Sequence, residues 1–244
     1  MTSLLEVRKL SRAFGSLWAV RDVDFKVETG ELVGLIGPNG AGKSTLYNLI
    51  AGVLAPSAGE AVFEGHSIAR WKPYHVARAG IARTFQIPKP YRHLSVIDNV
   101  ALSAMLHDKS VAAARRSAEA VLADVGLADY AGAEVGVLTA GLLKRLEVAR
   151  ALALEPRLVL FDEIMAGLTP PEVKVMTDMV AALPARGITV IWVEHVLYAI
   201  MKTAKRILVL HRGELIADGA PEQIARDGAV IKAYLGEEMN LAQG

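Results

Sequence analysis

Apolar positions along this 244-residue chain fall into two alternating textures. Up to about residue 65, short apolar runs are broken by glycine or charged turns, at 4–10, 20–27, 32–36 and 61–64, and such runs predict strands. The run LVGLI at 32–36 leads into GPNGAGKST and then into LYNLIAGVL, where Leu46, Leu49, Ile50 and Val53 recur at helical spacing. That order predicts a strand, a glycine-rich loop and a helix. From about Ser95 to Leu154 the chain becomes alanine-rich and helix-favouring, as in VAAARRSAEAVLADVGL, with Gly126 placed to end that helix. Strand texture returns at 157–163, 188–194 and 206–211. Between the first two of these, Thr169, Pro170, Pro171 and Glu172 have capping-box spacing with proline at the first helical position.

Strands alternating with helices predict an α/β fold whose parallel sheet is covered on both faces. The expected layout is one domain over 1–244. Residues 1–90 and 155–220 form its core, 91–154 an inserted helical lobe, and 221–244 a C-terminal helix and tail. A hydrophobic content of 52% suffices for one such core.

Charge narrows the partners. Lys and Arg total 27 against 26 Asp and Glu, with no block of like charge, so nucleic acid is not an expected partner. The absence of cysteine excludes disulfides, thiolate metal sites and cysteine nucleophiles. Six scattered histidines show no metal-ligand spacing. With neither a signal-peptide pattern nor eighteen consecutive apolar residues, the expected location is cytoplasmic, touching a membrane only through a partner.

The segment Gly37, Pro38, Asn39, Gly40, Ala41, Gly42, Lys43, Ser44 satisfies G-x-x-x-x-G-K-[ST] between a strand and a helix, and Thr45 follows it. Glycine lets successive backbone N–H groups turn inward around phosphate oxygens, and the helix start adds its positive end. Lys43 would neutralise the β and γ phosphates of ATP, and the Ser44 hydroxyl would ligate Mg²⁺. The apolar run at 157–161 ends in Asp162 and Glu163, which delivers two acids to the carboxyl edge of a sheet, where ligands of open α/β sheets bind. Asp162 suits the magnesium's water shell, and Glu163 suits a base for the attacking water. A strand ending in two acids is ordinarily a solvated end; the phosphate loop gives this one a function. His195 ends the next strand in the same manner and would contact the γ-phosphate or the water. Gln86 and Phe14 carry no message alone, and Phe14 by itself suggests core.

In order, Phe14, the phosphate loop, Gln86, the segment 138–142 (Leu-Thr-Ala-Gly-Leu), Asp162, Glu163 and His195 resemble the ATP-binding subunit of ABC transporters over nearly the whole chain. The resemblance implies a P-loop NTPase with a RecA-like core sheet, an antiparallel β subdomain and an inserted α-helical subdomain. It implies that Phe14 stacks on adenine, that Gln86 touches both magnesium and a membrane subunit, and that Thr139 and Gly141 reach ATP across a dimer. The partners implied are a second such subunit, in a homodimer or a paralogous heterodimer, transmembrane permease subunits, and indirectly a solute-binding protein. Residues 82–86, 144–152, 166–170, 193–195 and 233–238 further resemble the subfamily serving branched-chain amino acid importers. Relatives in that subfamily accept amides, urea or aromatic acids, and a related branch exports lipopolysaccharide.

Three departures stand out. The usual Leu-Ser-Gly-Gly-Gln signature keeps a hydroxyl at Thr139 and its second glycine at Gly141 but ends in Leu142. Ile164 stands where proline is common, and Thr169 where many relatives have aspartate. The competing expectation is a soluble ATP-driven clamp, whose long coiled-coil insertion or second ATPase domain this chain lacks. A third is a nucleotide-binding module without turnover, against which Glu163 and His195 stand.

Overall fold

The computed structural model describes residues 3–194 and 196–241, with side chains described as far as residue 234 apart from His195. The N-terminal third pairs a long hairpin, β1 (Ser3–Phe14) and β2 (Leu17–Glu28), and continues through β3 (Leu32–Ile36) into helix α1 (Lys43–Ile50). Then come β4 (Ala58–Phe63), β5 (His66–Ser67), α2 (Pro73–Arg78) and β6 (Ile81–Arg83). Three helices follow, α3 (Val96–Ala104), α4 (Val111–Asp124) and α5 (Ala140–Leu152), before β7 (Leu158–Asp162). The remainder is α6 (Pro170–Ala182), β8 (Thr189–Val193), α7 (Leu197–Thr203), β9 (Arg206–His211), β10 (Glu214–Gly219), α8 (Pro221–Ile224) and α9 (Gly228–Leu241).

Among the described residues the strands form two sheets. One has the order β2-β1-β4-β5 and is antiparallel; the other has the order β10-β9-β3-β8-β7-β6, parallel except for β10 at its edge. All five residues of β3, β7 and β8 are buried, as strands covered on both faces require. Their alternation decides which core each side chain joins. Val159, Phe161, Val190 and Trp192 face a core shared with α3, α4 and α5, whereas Leu158, Leu160, Ile191 and Val193 face one shared with α1 and the antiparallel sheet.

Local chemistry sets the helix ends. Ser95, Ser110 and Thr139 cap α3, α4 and α5 by accepting a backbone N–H with their side-chain oxygens. Gly126, at φ +68°, follows the last turn of α4, where the sequence places a stop. Helix α1 is shorter than its apolar spacing predicts. It stops at Ile50 because Gly52 adopts φ +71° and Val53 N–H turns back to the Asn48 carbonyl (2.8 Å), leaving Val53 exposed rather than on the helix's apolar face.

Candidate nucleotide site

The loop at 37–45 joins the buried end of β3 to α1, and its close packing explains its glycines. A Cβ on Gly37 would collide with the Leu210 carbonyl oxygen, and one on Gly42, at φ +105°, would collide with that of Ala19. The Ala41 carbonyl accepts from Gly213 N–H (2.9 Å), which pins the loop to the turn between β9 and β10. Lys43 is buried, and its ammonium donates to the carbonyls of Gly37 (2.6 Å) and Pro38 (2.9 Å), so it lies folded within the loop it serves. Ser44 is exposed at the first turn of α1 and Thr45 is half-buried behind it.

Helix α1 is also bolted to the strands that carry the acids. The buried Tyr47 hydroxyl hydrogen-bonds the carbonyls of Ile191 (2.8 Å) and Phe161 (3.1 Å), so α1 moves with β7 and β8. Asp162 is the last residue of β7, and its backbone N–H donates to the buried Thr84 Oγ1 (3.1 Å). Burial raises the Asp162 carboxyl above the ordinary carboxylate range, opposed by the Arg83 guanidinium at 3.6 Å. Glu163 follows with φ +49°, a left-handed conformation for a side-chain-bearing residue, and its N–H donates to the Val193 carbonyl (2.9 Å). The Gln86 amide donates to Glu163 Oε2 at 2.5 Å. Thus Gln86, Asp162 and Glu163, spread over 77 positions of sequence, converge at one sheet edge.

Phe14 ends β1 and is 47% exposed, which removes the bland expectation that it belongs to the core. The Arg12 guanidinium lies 4.8 Å from its ring centroid, so one face is backed by a cation. Thr139 caps α5 by accepting the Leu142 N–H (3.3 Å), and Gly141 packs so tightly on Glu172 that a Cβ would strike its carboxylate. That carboxylate in turn accepts from Thr169 N–H (2.8 Å) and Thr169 Oγ1 (2.7 Å), the expected capping box of α6, and these bonds hold the Glu172 pKa below its usual value. His195 lies outside the described residues, as do the side chains of 235–238 in the subfamily-like C-terminal segment.

Residues 20–166 match the family model described as ABC transporter, more than half of the chain. The protein belongs to the ABC transporter ATP-binding subunits. Residues 214–239 of the cassette match a second model, described as branched-chain amino acid ATP-binding cassette transporter. The cassette is 36% identical to the high-affinity branched-chain amino acid transport ATP-binding protein BraF of Pseudomonas aeruginosa, over 96% of this chain and 98% of that one. It is 34% identical to the high-affinity branched-chain amino acid transport ATP-binding protein LivG of Escherichia coli K12, with the same coverage. Its fold superposes on the ADP conformation of an ATP-binding cassette of an ABC transporter with a TM-score of 0.87 at 28% identity, covering 97% of this chain and all of that one. As a member of this family the cassette binds ATP and hydrolyses it to ADP and phosphate.

Several contributors to the cassette's site lie in the family-like segments 82–86, 144–152 and 193–195 but have no chemical role that the sequence assigns. Thr84, Arg83, Lys144, Glu147 and Glu194 are buried or nearly so around the acids, and each is a polar residue that sequence alone would leave in solvent. Their nearest signal is position, since Glu194 ends an apolar strand as Glu163 follows one. Among the described residues no helix is long and apolar enough to cross a membrane, and no group of three or more His, Cys, Asp or Glu is arranged to hold a metal.

Proposed function

We propose that the cassette powers uptake of branched-chain amino acids through separate membrane subunits, by hydrolysing Mg²⁺-ATP in a site completed by a second ATPase subunit. The observation that carries the solute class is the match of 214–239 to the branched-chain model; the names of the 34–36% identical relatives support it. The proposed location is cytoplasmic, on the inner face of the membrane. The division into a core at 1–90 and 155–220, a helical lobe at 91–154 and a C-terminal part at 221–244 is supported by α3, α4 and α5 all falling between β6 and β7.

Electrostatics dominates the proposed mechanism, since phosphoryl transfer asks the protein chiefly to position and neutralise. Backbone N–H groups of 37–45 and the Lys43 ammonium hold the β and γ phosphates, and Phe14 stacks on adenine with its free face. Hard oxygen donors suit magnesium, and Ser44, Gln86 and Asp162 offer a hydroxyl, an amide oxygen and a carboxylate, the last beside the like charge of Glu163, which a cation would relieve. Bound there, magnesium would supply neutralisation of phosphate charge. Glu163 takes the proton of the attacking water, His195 contacts the γ-phosphate, and Thr139 and Gly141 of the partner subunit complete the site with a hydroxyl and a backbone N–H.

The test is reconstitution of the cassette with its co-purifying membrane subunits in proteoliposomes, reading ATP turnover and uptake of radiolabelled leucine together. Leucine uptake that requires ATP, with both signals lost in Glu163→Gln, is the expected result. Turnover stimulated by some other solute and not by leucine overturns the solute class; parent-level turnover in Glu163→Gln overturns the base.

A further inference from the structure

Along one flank of α5, charged side chains recur at i, i+3 and i+6: Lys144, Glu147 and Arg150. Such a row ordinarily faces water, yet Lys144 is 6% exposed and Glu147 4%. All three face the backbone of the loop after β6. The Lys144 ammonium donates to the Gln86 carbonyl (2.5 Å), Glu147 lies near the Phe85 N–H, and Arg150 donates to the Lys89 carbonyl (2.9 Å) and to Glu147 (3.1 Å). Lys144 alone reaches further, donating a second bond to the carbonyl of Glu163 (3.1 Å).

That second bond closes a frame around the base. Glu163 sits in a left-handed conformation that a residue bearing a side chain adopts only when its surroundings hold it there. Its N–H is taken by Val193 and its carbonyl by Lys144, so both backbone groups are fixed, one by β8 and one by α5. The ammonium also lies among Glu194, Glu147, Glu163 and Asp162. Burying a charge is a poor way to gain stability where an apolar side chain would pack as well, so a buried ammonium reaching two carbonyls is better explained by the geometry it enforces.

We propose that Lys144 is a positioning residue for hydrolysis: from helix α5 it sets the backbones of Gln86 and Glu163 against each other, and so aims the base and the amide at the γ-phosphate. The proposal rests on the hydrolytic role given to Glu163 above. Because α5 is capped by Thr139 and carries Gly141 in its first turn, the same helix links the segment proposed to meet the partner's nucleotide to the residues that act on this chain's own.

The experiment compares Lys144→Arg, Lys144→Met and Lys144→Gln in the full chain, by steady-state ATP turnover and by equilibrium binding of a fluorescent ATP analogue. Arginine keeps a cation with several donors and should hold kcat within about threefold of the parent. Methionine matches the length without the charge and should lower kcat by about a hundredfold, the scale of a slightly misplaced catalytic group, while ATP affinity moves less than about threefold. Parent-like kcat in Lys144→Met overturns the proposal. Equal losses in the arginine and methionine variants also overturn it, since packing and not donation would then be at work. If Lys144→Met does not fold, Lys144→Gln decides by the same split between kcat and affinity. An inactive parent chain would instead count against the hydrolytic role itself.

Discussion

Glu194 offers the sharpest test of the electrostatics at the sheet edge. It follows β8, is 3% exposed, and accepts the Met165 N–H at 2.8 Å, which ties β8 to the loop beyond Glu163. Burial pushes its carboxyl from 4.5 to about 7; the nearby charge of Glu163 acts in the same direction, while the Met165 bond and Lys144 oppose. Because the folded value lies above the unfolded one, the native state holds a proton between about pH 4.5 and 7 that the unfolded chain has released. Stability therefore falls as pH rises through that window, and the whole penalty is present above pH 7. The gap between the two values corresponds to about 3 kcal/mol. Glu194→Gln keeps an oxygen for Met165 N–H and removes the titration. Urea unfolding from pH 4.5 to 8 should show the variant more stable by about 3 kcal/mol at the alkaline end, or about 6–12 °C in Tm. The difference should vanish toward pH 4.5. A gap that is independent of pH, or that widens toward acid, would refute the reasoning.

Lys43→Ala removes the cation of the phosphate loop and should weaken ATP binding about 10- to 100-fold, read by calorimetry, as expected for a lost charge-assisted bond; unchanged affinity would sink the loop's assignment. Phe14→Ala should cost about 1–3 kcal/mol of ATP affinity while leaving inorganic tripolyphosphate binding unaltered, because only the base loses its stacking partner. Equal losses for both ligands would mean that the ring supports the fold and not the base. Tyr47→Phe leaves the packing of α1 intact but removes its bond to the Phe161 and Ile191 carbonyls, and should destabilise the chain by about 1 kcal/mol in denaturant unfolding. No measurable change would show that the two carbonyls are satisfied without it.

The parts of the cassette legible in one dimension are those whose chemistry is local. The phosphate loop needs glycine where a Cβ would strike a neighbouring carbonyl, so its spacing survives as a motif; the capping box from Thr169 to Glu172 and the stop at Gly126 are equally short-range. The short elements β5, β6, β10 and α2 are not legible in the sequence, because so few positions carry no period and their pairing partners are distant. Val53 misled for the opposite reason, since its spacing continues a helix that Gly52 has already ended.

Buried charge was the least legible feature, and the physics of the site explains why. A Lys or Glu enters the interior only where backbone carbonyls, N–H groups or opposite charges from several elements meet it, and sequence shows one element at a time. Lys144 looks like part of a solvated face until β6 and β7 deliver the carbonyls of Gln86 and Glu163 to it. Thr84 looks like a loop residue until it accepts the Asp162 N–H. The residues whose roles the sequence suggests are those proposed to meet the nucleotide; the buried polar ones set the backbone on which those residues stand. Activity in this cassette should accordingly be as sensitive to Lys144 as to Gln86, although only the second has a role that the family resemblance names.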